Sequence, residues 1–344
     1  MEINLSSITF VDMSETIDIF SLSKLDSVIR LCNELNEKKD CDELIIDFSY
    51  VRYVRPAATA VFAREIRSIV KYRKEKELKT KVQGLNDSNR VVSYLNFIGF
   101  FKFIGVKNYG EEVRTTVIRN GRYIPITKFC YTRFKPDPDS REIIQPADLI
   151  DIQASEISRL FTTDSMPHVS LKYVICEILR NAYEHSLSDN FFVFGQYWRT
   201  GEMELVILDD GVGIHQTLLK KYPYLTSQYD AIMKSLEPGV SRASFEPELN
   251  EYGNSGFGLY VVSELAKKHG AILVASNDAT IAMNKDRKLV FQTTARGTLV
   301  CVKINNIWDV DYDKEIDSII AAGQKISLQG EYPVSPSKRT LSYK

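Results

Sequence analysis

Residues 174–185 place polar side chains at a helical spacing inside an otherwise apolar run. Glu177, Asn181 and His185 are four residues apart, so on an α-helix they form one stripe. A second stripe is apolar and consists of Val174, Ile175, Ile178, Leu179 and Ala182. Because an apolar stripe needs a layer to pack against, this segment predicts a helix that lies on a β-sheet.

The chemistry of the polar stripe suits a triphosphate. A carboxylate such as Glu177 can polarise or deprotonate an attacking group, while the carbonyl oxygen of Asn181 can bind the Mg²⁺ that neutralises phosphate charge. A solvated face of an amphipathic helix would have the same composition. The segments downstream must therefore decide between the two interpretations.

Glycines follow a predicted strand in the next segment. Residues 202–208 are typical of a strand, and Asp209 comes directly after them, with Gly211 and Gly213 at alternate positions. A carboxylate at a strand end can accept a hydrogen bond from the exocyclic amine of adenine, and the glycines allow backbone to approach the base.

Two further turns complete the pattern. Residues 253–258 form a glycine-rich turn that runs into an apolar helix, and such a turn offers backbone N–H groups to phosphate oxygens. Arg296-Gly297-Thr298 is predicted to be a tight turn between two strands, at residues 289–293 and 299–304.

These four motifs, E-x-x-x-N-A-x-x-H, D-x-G-x-G, S-G-x-G-L and G-T, resemble the N, G1, G2 and G3 boxes of the GHKL ATPase superfamily. That superfamily contains gyrase B, MutL proteins, heat-shock chaperones, sensor histidine kinases and anti-sigma-factor serine kinases. The resemblance implies that Glu177 is the general base. It also implies an ATP site in which Asn181 is the Mg²⁺ ligand and the following residues take part: Asn181, Asp209, Gly211, Gly213, Ser255, Gly256, Phe257, Gly258, Leu259 and Thr298.

One position departs from the superfamily pattern. The first glycine of the usual G-x-G-x-G turn is replaced by Asn254, which leaves the geometry of the ATP lid open. The resemblance places this lid at residues 215–252. Within it, Arg242 is either a bidentate donor to the γ-phosphate or a solvated loop residue, and the second is the more common role for a loop arginine.

His185 ends the polar stripe without a metal-binding partner in the sequence. The four histidines include no pair at ligand spacing, so we interpret His185 as a helix-terminal residue that hydrogen-bonds locally. No helix with an H-E/D-x-x dyad precedes the region, which argues against a self-phosphorylating histidine kinase.

Composition excludes several classes of protein. The chain has 44 basic and 45 acidic residues, a balance that argues against nucleic-acid binding and gives no signal for a membrane surface. The five cysteines are scattered without C-x-x-C spacing, so neither a disulfide framework nor a zinc site is indicated. No secretory leader or long apolar run is evident, and we expect a cytoplasmic protein.

The N-terminal hundred residues alternate between helices and strands. We predict helices at residues 22–35, 56–70 and 89–103, and strands at residues 43–48 and 80–85. This alternation, with the segment Asp47-Phe48-Ser49 directly before a helix, resembles the STAS domain of anti-sigma-factor antagonists over roughly residues 5–108. A generic small α/β domain used for contacts is the alternative.

The STAS resemblance fails at the position of its phosphorylation switch. Phosphorylated members carry a serine in the turn between strand and helix, whereas this chain has Arg55, Pro56, Ala57 and Ala58 there. Without a hydroxyl no phosphoester can form at these positions. The resemblance therefore implies a domain that does not use this switch.

We predict four regions in an α/β protein. A STAS-like domain spans residues 1–108, and a β-hairpin around Asn120-Gly121 with a linker spans residues 109–140. A GHKL-type ATP-binding domain spans residues 141–306 and begins with a helix at 147–160. Its fold should be a Bergerat-type α/β sandwich, a mixed sheet with helices on one face. Residues 307–344 form a C-terminal tail, partly mobile.

Three functions fit this pattern. The first is a Mg²⁺-dependent ATPase that acts as a conformational switch on a protein partner. The second is a serine/threonine kinase of the anti-sigma type, whose substrate would come from another chain because the STAS-like domain has no acceptor. The third is an adaptor that binds ATP without chemistry. We expect ATP and a protein as partners, no nucleic acid and no membrane, and leave a homodimer open.

Overall fold

The computed structural model describes residues 2–4, 22–115, 122–130, 146–161, 168–186, 188, 190–241, 256–305 and 311–330. Its described strands form two sheets, one of three strands and one of seven. None of the helices within these ranges is long and apolar enough to cross a membrane.

The N-terminal unit is a small parallel sheet with helices. Its elements are β1 (Glu2–Asn4), α1 (Leu22–Glu37), β2 (Glu43–Asp47), α2 (Pro56–Glu75), β3 (Lys79–Gln83), α3 (Arg90–Phe97) and α4 (Phe100–Phe103). The strands lie in the order β1-β2-β3 with parallel pairing. Helix α2 connects β2 to β3, as a parallel pair requires a crossover. This arrangement confirms the predicted alternation of helices and strands.

The rest of the described chain builds a larger sheet. Its elements are β4 (Tyr123–Cys130), α5 (Pro146–Phe161), α6 (His168–His185), β5 (Asn190–Tyr197), β6 (Met203–Asp209), α7 (Ile214–Leu218), α8 (Gln228–Ser235), α9 (Gly258–His269), β7 (Gly270–Ser276), β8 (Ala279–Met283), β9 (Lys288–Gln292), β10 (Thr298–Ile304) and α10 (Tyr312–Leu328). The strands lie in the order β4-β5-β6-β10-β7-β8-β9.

Both faces of this sheet are covered. On β6, Leu205 and Ile207 pack into the core formed with α6 and α9, while Val206 and Leu208 point into the core shared with the N-terminal unit. Every residue of β6 is buried as a result. A strand covered on both faces is continuously apolar, which is what residues 205–208 show.

Helix α2 covers the second face of the large sheet. Its residues 56–66 are all buried, because the helix contacts strands of both sheets. Ala57, Ala60 and Ala63 are at most 1% exposed. Small side chains at these positions allow the helix backbone to lie close to its neighbours.

The Bergerat-type α/β sandwich is confirmed, with two refinements. We expected a mixed sheet, and all pairings between the seven described strands are antiparallel. We also expected helices on one face, and the sandwich's own helices do lie there, but the N-terminal unit packs on the other face. Sequence patterns alone gave no sign of that second contact.

Local differences from the predicted elements have local causes. The helix predicted at 89–103 is interrupted at Gly99, whose φ of +80° lies in the left-handed region that ends a helix. The strands on either side of Arg296-Gly297 are not neighbours, because β7 and β8 lie between β9 and β10. The tip of the predicted hairpin lies outside the described residues, and its second arm, β4, pairs with β5.

The region predicted as a C-terminal tail contains a helix. Helix α10 packs on α9, and a Cβ at Gly323 would lie 2.4 Å from the ring of Tyr260. Ile316 and Ile320 of α10 are buried in the core of the sandwich. Their spacing of four residues is typical of an amphipathic helix, although no helix was predicted in this segment.

Candidate functional site

A cavity that is partly open to solvent lies where α6, the end of β6 and the start of α9 meet. Of the residues predicted for the site, these line it: Asn181, Asp209, Gly213, Gly256, Gly258, Leu259 and Thr298. The fold therefore brings residues of all four motifs to one place.

Asp209 is the buried carboxylate of the cavity wall. It is 3% exposed, and its Oδ1 accepts hydrogen bonds from the backbone N–H groups of Gly211 (2.7 Å) and Thr298 (3.2 Å). No hydrogen bond to Oδ2 occurs within the described part of the chain. Asp209 can therefore accept a further hydrogen bond from a ligand in the cavity.

The electrostatics of Asp209 are dominated by its burial. Burial raises the pKa of Asp209 to about 7, while the two backbone hydrogen bonds and the nearby cation Arg64 act in the opposite direction. A desolvated acceptor of this kind favours a ligand with a hydrogen-bond donor, such as an exocyclic amine.

Close contacts surround two of the predicted glycines. A Cβ at Gly211 would lie 2.0 Å from the carbonyl oxygen of Ser186, and a Cβ at Gly258 would lie 2.0 Å from Oε2 of Glu177. A Cβ at Gly211 would collide with backbone, whereas a Cβ at Gly258 would require the Glu177 side chain to move. Gly211 itself does not line the cavity. Because it has no side chain, its backbone can lie close to Ser186 while its N–H donates to Asp209.

The side-chain amide of Asn181 lies at the cavity wall without a hydrogen-bonding partner among the described residues. Its Nδ2 is buried. Because the oxygen and nitrogen of an amide are assigned from the hydrogen bonds they make, an unpartnered amide can present its oxygen to the cavity. A neutral amide oxygen is a ligand that Mg²⁺ accepts, so Asn181 fits the predicted ion.

Glu177 lies behind the cavity wall. It is 3% exposed and does not line the cavity, and its carboxylate forms an ion pair with Arg180 at 3.1 Å. The same carboxylate contacts Gly258, the first residue of α9. It therefore lies next to the turn that begins α9.

The glycine turn before α9 is described only from Gly256 onward. Gly256 accepts a hydrogen bond from the N–H of Gly239 at 3.1 Å, which joins the turn to the segment after α8. Phe257 is fully buried and packs against Tyr260, so its side chain belongs to the core and does not line the cavity. Ser255 and Arg242 lie outside the described residues.

The first part of the predicted lid is folded. Residues 214–241 contain α7 and α8, and Leu218, Tyr222, Leu225 and Ala231 form a small core of their own. Thr217, Ser235, Val240 and Ser241 from this region line the cavity. Sequence reasoning did not identify these residues, since the lid was predicted only as a segment.

The turn between β7 and β8 makes side-chain hydrogen bonds to two segments that lead into the cavity wall. Asn277 donates from Nδ2 to the carbonyl of Val212 (3.0 Å), and its Oδ1 accepts from the N–H of Gly297 (2.9 Å). Ser276 accepts from the N–H of Ile214 (2.8 Å). The two residues thus connect the segment after Asp209 with the turn before Thr298.

No motif marked this supporting turn in the sequence. Asn277 has a φ of +46°, a conformation that asparagine adopts more readily than most residues. The dipeptide Asn277-Asp278 between two apolar runs was a turn signal, but its contacts across the fold depend on tertiary structure.

Comparison with known families agrees with this geometry. Residues 167–305 match the family described as histidine kinase-, DNA gyrase B-, and HSP90-like ATPase. The match includes Glu177, Asn181, Asp209 and Thr298, and it supports placing this region in the GHKL superfamily, with ATP binding of the GHKL type. A search of curated proteins found no match to the chain. The resemblance of the N-terminal unit to STAS domains stays a prediction.

Proposed function

We propose that this protein binds ATP together with Mg²⁺, hydrolyses it, and acts as a nucleotide-dependent switch on a protein partner. The observation that carries the proposal is the buried Asp209, which lines the cavity and has no partner for Oδ2 among the described residues. In this proposal the second oxygen accepts a hydrogen bond from the exocyclic amine of adenine.

Adenine at Asp209 fixes the direction of the nucleotide. Gly256, Gly258 and Leu259 at the start of α9 also line the cavity, and the first backbone N–H groups of a helix have no acceptor within the helix. A helix N-terminus favours anionic groups, so the phosphates would lie there. Asn181 also lines the cavity and would hold the Mg²⁺, which when bound neutralises phosphate charge.

Glu177 is the candidate general base. Its carboxylate contacts Gly258, so it lies next to the end of the cavity at which the terminal phosphate would be placed. In the proposed reaction a water molecule attacks the γ-phosphorus, the bond to the leaving ADP oxygen breaks, and Glu177 accepts the proton of the water. Arg180 holds the carboxylate through an ion pair and limits its orientations.

The position of the N-terminal unit favours hydrolysis over phosphorylation within the same chain. The turn that would carry a phosphoacceptor in STAS domains is packed on β6: Arg55 pairs with Glu204 (3.0 Å), and the N–H of Ala57 donates to Glu204 (3.2 Å). Glu204 faces away from the cavity side of the sheet, where Leu205 and Ile207 point. This turn cannot reach the phosphate end of the cavity in the described arrangement.

Incubation with γ-labelled ATP and Mg²⁺ tests the proposal. We expect free labelled phosphate, and a 10²–10⁴-fold slower release, roughly, from Glu177→Gln, the usual contribution of a positioned base. Glu264→Gln is the matched control, because Glu264 is a partly exposed residue of α9 that pairs with Lys267. It should release phosphate at the wild-type rate.

Two other outcomes would contradict hydrolysis. Label transferred to an added protein, without free phosphate, would establish the kinase alternative. ATP binding without release or transfer would establish an adaptor. A Glu177→Gln protein with wild-type turnover would remove the base from the mechanism and leave the nucleotide site standing.

A further inference from the structure

We propose that Arg64, a residue of the N-terminal unit, positions the adenine end of the nucleotide site, so that nucleotide affinity depends on this unit. The inference rests on the proposed binding of an adenine nucleotide next to Asp209. The N-terminal unit then contributes to nucleotide binding, in addition to any contact that it makes with another protein.

The guanidinium of Arg64 reaches from α2 to two turns of the large sheet. Its Nη2 donates to the carbonyl oxygens of Ala295, Gly297 (3.1 Å) and Asn277 (3.3 Å). Arg64 is 4% exposed. A buried guanidinium that binds backbone carbonyls in both the β7–β8 and the β9–β10 connections holds them at a fixed separation.

These connections are the ones that orient Asp209. The N–H of Thr298, directly after Gly297, donates to Oδ1 of Asp209 at 3.2 Å. Gly297 has a φ of +96°, and a Cβ there would lie 2.1 Å from the carbonyl oxygen of Asp209. Arg64 is therefore one residue away from a hydrogen bond that fixes the adenine-binding carboxylate.

The neighbouring residue of α2 secures the same turn. The carboxylate of Glu65 accepts hydrogen bonds from the N–H groups of Thr294 (3.1 Å) and Ala295 (3.0 Å), and from the hydroxyl of Thr294 (2.6 Å). Glu65 is 1% exposed. Two adjacent residues of one helix thus bind donors and acceptors of a single turn, which fixes both its position and its orientation.

Charge also connects Arg64 to the site. Burial lowers the pKa of Arg64, while Glu65, Asp209 and Asp210 raise it, and Cys32 lies close as well. In return Arg64 lowers the pKa of Asp209, which burial raises and Asp210 raises further. Among the other charged groups near this end, Arg67 pairs with Asp210 (2.7 Å), and Arg296 donates to the carbonyl of Gly211 (3.2 Å).

Removing the cation should therefore change both affinity and its pH dependence. For Arg64→Met we expect roughly tenfold weaker binding of ATP with Mg²⁺, since the turn loses three hydrogen bonds that hold it. Because Asp209 loses a neighbouring positive charge, its pKa should rise. The pH at which binding is half-maximal should rise with this pKa, by about one unit. Titration of the nucleotide itself is the same for every variant and cancels in the comparison.

Two further variants separate charge from shape and from folding. Arg64→Lys keeps the charge, but its side chain is one bond shorter and its ammonium should not reach the carbonyls that Nη2 binds, so affinity should fall with an unchanged midpoint. Arg73→Met is the matched control: Arg73 is another fully buried arginine of α2, and it donates to the carbonyls of Lys39 (2.6 Å), Cys41 (2.8 Å) and Lys79 (2.5 Å) within the N-terminal unit. It should lower stability but leave affinity and midpoint unchanged.

Calorimetric titration of the full chain with ATP and Mg²⁺ at several pH values decides the matter. Failure of the wild-type protein to bind would refute the proposed function. Wild-type binding with unchanged affinity in Arg64→Lys, or an unchanged midpoint in a folded Arg64→Met, would overturn the role of Arg64 alone. An equal loss of affinity in Arg73→Met would show that general destabilisation is the cause and would also overturn it.

Discussion

Replacing Asp209 by asparagine should weaken nucleotide binding and yet stabilise the nucleotide-free protein. Asparagine has nearly the same shape, and its carbonyl oxygen can still accept the hydrogen bonds from the N–H groups of Gly211 and Thr298. It carries no charge to bury, however. The free energy of unfolding should therefore rise where the wild-type carboxylate is ionised.

The size of this gain follows from the pKa of Asp209. That pKa is about 7 in the folded protein and 3.8 for the unperturbed group, because burial disfavours the charged form. Each unit of difference corresponds to about 1.4 kcal/mol, so the full difference is about 4 kcal/mol. The folded state binds this proton more tightly than the unfolded state. The free energy of unfolding of the wild type therefore falls as the pH rises from about 4 to about 7, because the buried carboxyl loses its proton over this range.

Urea denaturation of the two proteins without nucleotide measures this difference. Asp209→Asn should exceed the wild type in free energy of unfolding by about 2 kcal/mol at about pH 5 and by about 4 kcal/mol at about pH 8. Asp286→Asn is the control, since Asp286 is an exposed residue of the connection between β8 and β9. A difference between wild type and Asp209→Asn that is the same at both pH values would refute the reasoning.

Two other predictions concern the metal and the N-terminal unit. Asn181→Ala should raise the Mg²⁺ concentration needed for half-maximal ATP binding, because it removes a ligand of the ion, and unchanged Mg²⁺ dependence in calorimetry would contradict this role. Thr59 should not be phosphorylated in cells, since it is 4% exposed in the first turns of α2, and mass spectrometry that finds stoichiometric phosphate there would show that α2 leaves the sheet.

The sequence predicted those parts of the site that depend on spacing within one element. Asp209 had to follow a strand, and Asn181 had to share a helical stripe with Glu177, because each relation is set by the geometry of the element. The ion pair between Glu177 and Arg180 was not predicted. At three residues apart the two side chains can meet on a helix, but burial decides whether they do.

The contacts between units could not be read from the sequence. Arg64 and Glu65 resemble the solvated charges of an amphipathic helix, and only the packing of α2 between two sheets shows that both are buried. Strand β5 was missed for a related reason. Phe191–Phe194 form a short continuous apolar run, and without alternation such a run is ambiguous between a strand and a buried helix.

The central claim is that the cavity beside Asp209 binds ATP, and calorimetric titration of three proteins at about pH 8 tests it most directly. The account predicts that the wild type and Asp286→Asn bind ATP with Mg²⁺ equally well, while Asp209→Asn loses about 1–3 kcal/mol of binding free energy because its amide donates where an acceptor is needed. ATP affinity in Asp209→Asn equal to that of the wild type would contradict the claim.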